Sequence, residues 1–252
     1  MSANHAAFNL IFRFVENYVS PIAGRISSQR HVMAIRDGFI SAMPFMIVGS
    51  FLLVFAYPPF SPDTTWGFAR AWLDMAKQFE GQILTPFDMT MGVMSLYICA
   101  AIAYNLGKHY VKTHQLDPFM CAMLSLMAFL LVAAPKTKGA LPVDSLGGTG
   151  IFTAILVAIY CVEMMRFLKA HNIGIRLPDQ VPPMIKNSFD LLIPVLVVVL
   201  TLYPLSLLIQ SQFGMLIPQA IMSIFKPLVS AADSLPAILL AVLRSEERRV
   251  GK

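Results

Sequence analysis

The chain has 252 residues, of which 57% are hydrophobic and 13% are charged, and its formal net charge is +5. Soluble domains usually contain about 25% charged residues, so this composition excludes an ordinary water-facing globular protein and indicates a chain buried in lipid. The Lys and Arg residues lie in short stretches between apolar runs and form no basic stripe, which argues against nucleic acid as a partner.

The first 30 residues contain one helical pattern. Between Phe8 and Ile22, apolar residues recur at helical spacing with polar and charged residues between them. The pattern predicts an amphipathic helix that either lies on the membrane surface or packs against the protein. Residues 1–30 are therefore interpreted as a cytoplasmic, interfacial N-terminal segment.

Charge-free runs of about 18 or more residues predict helices that cross the apolar core of a bilayer, which is about 30 Å thick. Five such spans are predicted, at Phe39–Tyr57, Met89–Gly107, Pro118–Pro135, Ser145–Val162 and Leu191–Ser211. The last run continues to Phe225, so Gly214 and Pro218 are expected to break it. The stretch from Met215 to Leu228 is predicted to lie along the membrane surface.

Two shorter features complete the pattern. Trp66 and Trp72, with the aromatic residues near them, predict a short helix at the headgroup level. A sixth span begins near Ser234 but is apolar only from Leu235 to Leu243. Residues 244–252 then carry six charges in nine positions and are predicted to be a non-native tail, the alternative being a natural cytoplasmic terminus.

Together these elements predict an all-α membrane protein. It is a polytopic helical bundle of five complete transmembrane helices, with interfacial amphipathic helices and the start of a sixth span. The short loops carry ten Lys and Arg residues on one side and four on the other. Because the more positive side stays inside, the N-terminus and the loops 107–117 and 163–190 are predicted to be cytoplasmic.

Few side chains in the sequence indicate catalytic or metal-binding chemistry. The sequence has no phosphate-binding loop, zinc-protease motif or nucleophile elbow. Cys99, Cys121 and Cys161 lie inside apolar runs without the spacing of a zinc site, so neither a metal nor a cofactor is predicted. The five histidines lie outside those runs and are interpreted as solvated or as contacting lipid headgroups. Asp88 and Glu163 border spans two and four and are interpreted as helix-end residues.

The loop before span five is the most informative passage. Pro178, Pro182 and Pro183 cannot continue a helix, so a stiff extended element is predicted directly before the span. In one interpretation Ser188 or Asn187 caps the following helix, whose free N–H groups face the cytoplasmic entry; in the other, the loop is a rigid docking element. The candidate substrate-binding residues are Asp179, Gln180, Val181, Pro182, Pro183 and Ser188.

The passage from Arg176 to Pro194 resembles the pattern Leu-Pro-x-x-Val-Pro-x-x-Val-x-x-Ser-Phe-x-x-Leu-Ile-Pro. This pattern is found in the enzyme IIC permeases of the lactose, cellobiose and diacetylchitobiose type, within the phosphoenolpyruvate-dependent sugar phosphotransferase systems. Two further stretches agree, from His31 to Pro44 and from Thr90 to Ser95, and the resemblance covers about Val19 to Leu243. Met184-Ile185 departs from the usual smaller residue followed by Val, and the prolines are retained.

The resemblance implies a multi-pass permease of the bacterial cell membrane (inner or plasma membrane) that takes up a β-linked disaccharide such as cellobiose, chitobiose or lactose. It also implies a homodimer and a phosphorylated enzyme IIB partner, whose phosphocysteine phosphorylates the sugar. On this basis residues 31–213 form a dimerisation domain, and residues 214–243 form an amphipathic linker and the start of a sugar-binding domain. The family's sugar-contacting His and Glu lie beyond the end of this chain. No catalytic residue is therefore assigned, and the chain is expected to be a C-terminally truncated fragment that is inactive alone.

Two other classes of function stay open. An unrelated secondary transporter would place ionisable residues near the membrane midplane, and none of the five predicted spans carries a central charge. A membrane-embedded enzyme would need a catalytic cluster at one membrane face, which the sequence does not indicate. A non-catalytic membrane scaffold or dimerisation domain is compatible with the sequence.

Overall fold

The computed structural model describes residues 16–17, 20–135, 142–175, 178 and 182–227. Within these residues the chain forms helices, one 3₁₀ turn at Gly148–Gly150, and no β-strand. This confirms the predicted all-α class. The helices are α1 (Ser20–Ser27), α2 (Arg30–Ala56), α3 (Gly67–Thr90), α4 (Met94–His114), α5 (Pro118–Ala133), α6 (Ile151–Ala170), α7 (Pro183–Asp190), α8 (Leu192–Phe213) and α9 (residues 217–227).

Four helical stretches are long and apolar enough to cross a membrane, at Arg30–Ala56, Gly67–His114, Gly148–Ala170 and Ser188–Phe213. They contain the predicted spans two and five and nearly all of the predicted spans one and four. Predicted span three forms α5, which has 16 residues and therefore rises about 24 Å along its axis. Because the apolar core of a bilayer is about 30 Å thick, a complete crossing by α5 stays a prediction.

The helix that follows the tryptophan-rich stretch is longer than predicted. α3 has 24 residues and continues to Thr90, so it is not a short helix, and the helix of span two begins at Met94 rather than Met89. The chain turns between them at Gly92, where a Cβ atom would lie 2.6 Å from the Asp88 carbonyl oxygen. The prediction was wrong here because the position of this turn depends on one glycine and its backbone neighbours, whereas hydropathy varies little across it.

The turn between α3 and α4 is anchored by the loop that precedes α6. The backbone N–H of Ser95 donates to the Leu146 carbonyl oxygen at 3.0 Å, and the Ser95 hydroxyl donates to the same oxygen. Both residues are buried. A Cβ atom at Gly150 would lie 2.7 Å from the Ser95 hydroxyl oxygen, so this close approach requires a glycine.

The core is built around α4, which packs against α2, α5 and α6. On α2 the small residues Ala34, Gly38 and Ala42 recur every fourth position and are buried. A Cβ atom at Gly38 would lie 2.9 Å from the backbone nitrogen of Ile102 on α4. Small residues at this spacing let two helix backbones approach closely, which is the usual source of attraction between helices in lipid.

Aromatic residues gather where α2 ends and α3 begins. The ring of Trp72 lies 5.6 Å from that of Phe55 and 5.7 Å from that of Phe60, between ring centroids, and its indole N–H donates to the Phe55 carbonyl oxygen at 3.2 Å. Close by, the Tyr57 hydroxyl donates to a Glu80 carboxylate oxygen at 2.9 Å. This hydrogen bond raises the pKa of Tyr57 above its ordinary value.

The segment predicted to lie along the membrane surface is helical as α9 and folds back onto α6. The rings of Phe152 and Phe225 are stacked with their centroids 4.3 Å apart, and Ile217 is buried. Most of the predicted N-terminal helix, the predicted sixth span and residues 244–252 lie outside the described residues.

Candidate functional site

The ion pairs that join different helices in the described part of the chain lie at one end of the bundle. The first residues of α2, the last residues of α4 and α6, and the junction of α7 with α8 all meet there. These are the segments that the count of Lys and Arg assigned to a single membrane face. The structure therefore brings together residues that are more than 50 positions apart in the sequence.

The carboxylate of Glu163 on α6 lies at the centre of the first polar group, which we call the Glu163 network. Its Oε1 atom is 2.9 Å from His31 Nε2 and accepts a hydrogen bond from the Tyr110 hydroxyl at 2.7 Å. Its Oε2 atom is 2.7 Å from a guanidinium nitrogen of Arg166, one turn further along α6. The side chain of Glu163 is only 25% exposed.

The guanidinium groups of two arginines flank the same network. Those of Arg30 and Arg166 lie 5.7 Å and 5.2 Å from the centroid of the Tyr110 ring, within the range of cation–π attraction. One carboxylate thus connects α2, α4 and α6 through three charged or polar partners. Because both of its oxygens already have partners, its role in this structure is to hold helix ends together.

The second feature is a cavity of about 550 Å³ next to the Glu163 network, which we call the Lys169 cavity. It lies between the end of α4, the end of α6 with the loop after it, and the junction of α7 and α8. Its lining comprises Thr113, His114, Gln115, Met165, Leu168, Lys169, Ala170, Asn172, Ile173, Gly174, Ile175, Asp190 and Pro194. Lys169 Nζ lies 2.6 Å from Asp190 Oδ2, and this ion pair joins α6 to the end of α7.

The structure describes only half of the predicted substrate-binding residues. Asp179, Gln180 and Val181 lie outside the described residues. Pro182 has an extended backbone, and Pro183 is the first residue of α7; Ser188 is exposed on that helix.

The capping role considered for Ser188 or Asn187 is wrong, because both residues lie inside α7 rather than before a helix. A proline is well tolerated at the first helical position, where the missing N–H has no partner to lose, so the helix begins five residues earlier than the serine. The role of this loop in substrate binding stays a prediction.

Sequence reasoning missed the partners of Glu163 and Asp190. His31 was interpreted as solvated, yet its ring nitrogen contacts Glu163 across 132 positions of sequence. The one signal available was the spacing of Glu163 and Arg166, since residues three apart share a helix face. Among the described residues, no three His, Cys, Asp or Glu side chains converge as metal ligands would.

Comparison with known proteins gives a consistent result. The profile of the protein family described as "Phosphotransferase system, EIIC" matches residues 36–244. A cellobiose-specific EIIC component of Geobacillus stearothermophilus is 37% identical over 206 residues, which are 74% of this chain and 43% of that protein. A lactose-specific EIICB component of Lactococcus lactis subsp. lactis is 32% identical over 87% of this chain and 38% of its own length.

The fold is similar to a solved structure of the same kind. The crystal structure of the transporter ChbC, the IIC component from the N,N'-diacetylchitobiose-specific phosphotransferase system, matches with a TM-score of 0.73 and 31% identity. The match covers 87% of this chain and 52% of that one. The chain thus spans less than half the length of these two curated relatives.

The Glu163 network leads to a stability prediction. The substitution Glu163→Gln removes the negative charge that His31 and Arg166 face, and should lower the free energy of unfolding by about 1–2 kcal/mol, since hydrogen bonds to a charged group are stronger than neutral ones but this group is partly solvated. Thermal unfolding of the purified protein in detergent measures the change.

The matched control is Glu80→Gln, which removes an exposed carboxylate bonded to Tyr57. It should change the unfolding free energy by less than about 0.5 kcal/mol. Equal effects of the two substitutions would contradict a structural role for the Glu163 network.

Proposed function

Because this chain belongs to the phosphotransferase system EIIC family, we propose that it forms the front part of a sugar-translocating permease subunit. The observation that supports this most directly is the family match over residues 36–244, which begins within α2 and includes every later helix that the structure describes. The similarity of the fold to the IIC transporter ChbC supports the same conclusion. An unrelated secondary transporter and an isolated scaffold are not favoured by these matches.

We propose a β-linked disaccharide as the transported substrate. The relatives are named for cellobiose and lactose, and the structural neighbour is named for N,N'-diacetylchitobiose; all three sugars are disaccharides with a β linkage. The phosphoryl donor is enzyme IIB, which the name of the lactose-specific EIICB relative joins to the IIC component. The described residues contribute the membrane scaffold, and the Glu163 network keeps three helix ends in register at one membrane face.

We further propose that residues 31–213 form a dimerisation domain in the bacterial cell membrane. α2 and α8 each carry a row of exposed apolar side chains, among them Phe51 at 63% and Leu200 at 64% exposure. Such faces suit contact with lipid and with a second copy.

Light scattering of the chain in detergent should give twice the mass of one 27.8 kDa chain, after the mass of bound detergent is subtracted. A single-chain mass would contradict the dimer.

We propose that the N-terminus and the face carrying the Glu163 network are cytoplasmic. The three described cysteines are buried, so a new surface cysteine can be labelled with little background. In intact cells, Ser28→Cys should be protected from a membrane-impermeant maleimide, and Asp63→Cys, in the loop between α2 and α3, should react. Both should react after the membrane is permeabilised, and the opposite labelling pattern in intact cells would reverse the orientation.

A chimeric transporter tests the permease function itself. Residues 36–213 of this chain would replace the aligned segment of the Geobacillus cellobiose-specific relative, and uptake of radiolabelled cellobiose would be measured in cells that supply the other phosphotransferase components. We expect uptake within about tenfold of the parent, because packing that is kept within one segment is usually tolerated. In the control, the parent's own segment is inserted through the same two junctions. A chimera that inserts in the membrane at the control level without any uptake would refute the proposal.

A further inference from the structure

We propose that the Lys169 cavity binds a neutral, hydroxyl-rich ligand of the sugar class. The residues that line the cavity include none of the six predicted substrate-binding residues. The inference rests on the proposed function only for the choice of a disaccharide as the probe. The volume of the Lys169 cavity, about 550 Å³, falls within the range of about 300–1,000 Å³ that is usual for small-molecule sites.

The charges in the Lys169 cavity indicate a neutral ligand. Lys169 and Asp190 are the residues in its lining with fixed opposite charges, and their side chains are 2.6 Å apart. A charged ligand would have to separate this pair, whereas a hydroxyl group can donate to the carboxylate and accept from the ammonium group without separating them. The side chains are 33% and 19% exposed, so part of each group remains accessible from the cavity.

Two carboxamide side chains supply further hydrogen-bonding groups. Gln115 follows α4 and Asn172 follows α6, and both line the cavity. Their φ angles are +52° and +54°, and within the described part of the chain they are the non-glycine residues with positive φ. Glycine is the usual residue in this conformation at a helix end. Asn is also common there, but Gln115 places a carboxamide where glycine would be less strained, a feature that concentrates at binding sites.

Apart from Thr113 and His114, the rest of the lining is apolar. Next to the polar groups there is an apolar wall, formed by Leu168, Ile173, Ile175 and Pro194. A sugar ring presents C–H groups on its faces and hydroxyl groups around its edge, so it can pack against such a wall while its hydroxyls reach the carboxamides and the ion pair. A purely apolar ligand would cover the two carboxamides without offering them a hydrogen bond. The combination therefore favours a sugar over a lipid chain.

Binding of cellobiose to the purified full chain tests the proposal. The chain would be placed in lipid nanodiscs, because detergents with sugar headgroups would compete, and titrated by isothermal calorimetry. We expect saturable binding of cellobiose and weaker binding of glucose 6-phosphate, whose charge the ion pair disfavours. No saturable cellobiose binding, or tighter binding of the phosphate, would overturn the proposal.

The double variant Gln115→Gly with Asn172→Gly tests whether cellobiose binds in the Lys169 cavity. Glycine suits both backbone conformations, so the melting temperature should stay the same or rise. Loss of two hydrogen-bonding groups should weaken cellobiose binding about tenfold or more. The control Gln78→Ala removes an exposed carboxamide on α3 and should leave the affinity unchanged. Undiminished binding by the double variant, or an equal loss in the control, would refute this site. Failure of uptake by the chimera would refute the permease function and would leave this binding result standing.

Discussion

Close packing of α4 against its neighbours is the constraint on which the other features of this fold depend. Lipid removes most of the hydrophobic drive for helices to associate, so the attraction between them comes from contact at short range. Gly38 lets α2 approach the backbone of Ile102, and Gly107 lets α5 approach closely, since a Cβ atom there would lie 3.1 Å from the Pro118 Cα atom. With α4 held in this way, its C-terminal end brings Tyr110 to Glu163 and Gln115 to the Lys169 cavity.

The same arrangement of helices also determines which partners the partly buried charged side chains have. A carboxylate in a largely apolar helix is unfavourable unless partners surround it. Glu163 meets this requirement with His31, Tyr110 and Arg166, which lie just outside the charge-free runs of their helices. The Lys169–Asp190 pair does the same for the junction of α6 with α7 and α8. Both groups lie at one end of the bundle, where long polar side chains can also reach water.

Membership of the EIIC family gives these features a context. The chain matches less than half the length of these two curated relatives. The Lys169 cavity adds a candidate sugar site at the same end of the bundle as the Glu163 network. Its chemistry depends on neutralisation of two charges by each other, so the cavity is polar without being an ion site.

The sequence alone determined the membrane class, the all-helical fold and the family, because charge-free runs of span length and the proline-rich passage before α8 are local properties. It also indicated that α9 is amphipathic and that Gly214 ends α8, where φ is +65°. Only the tertiary structure decided the turn at Gly92, the length of α3, and the partners of Glu163 and Asp190. The reason is that a turn buried against a loop, or a carboxylate bonded across 132 positions, depends on which helix faces meet, and hydropathy along the chain carries no record of that choice.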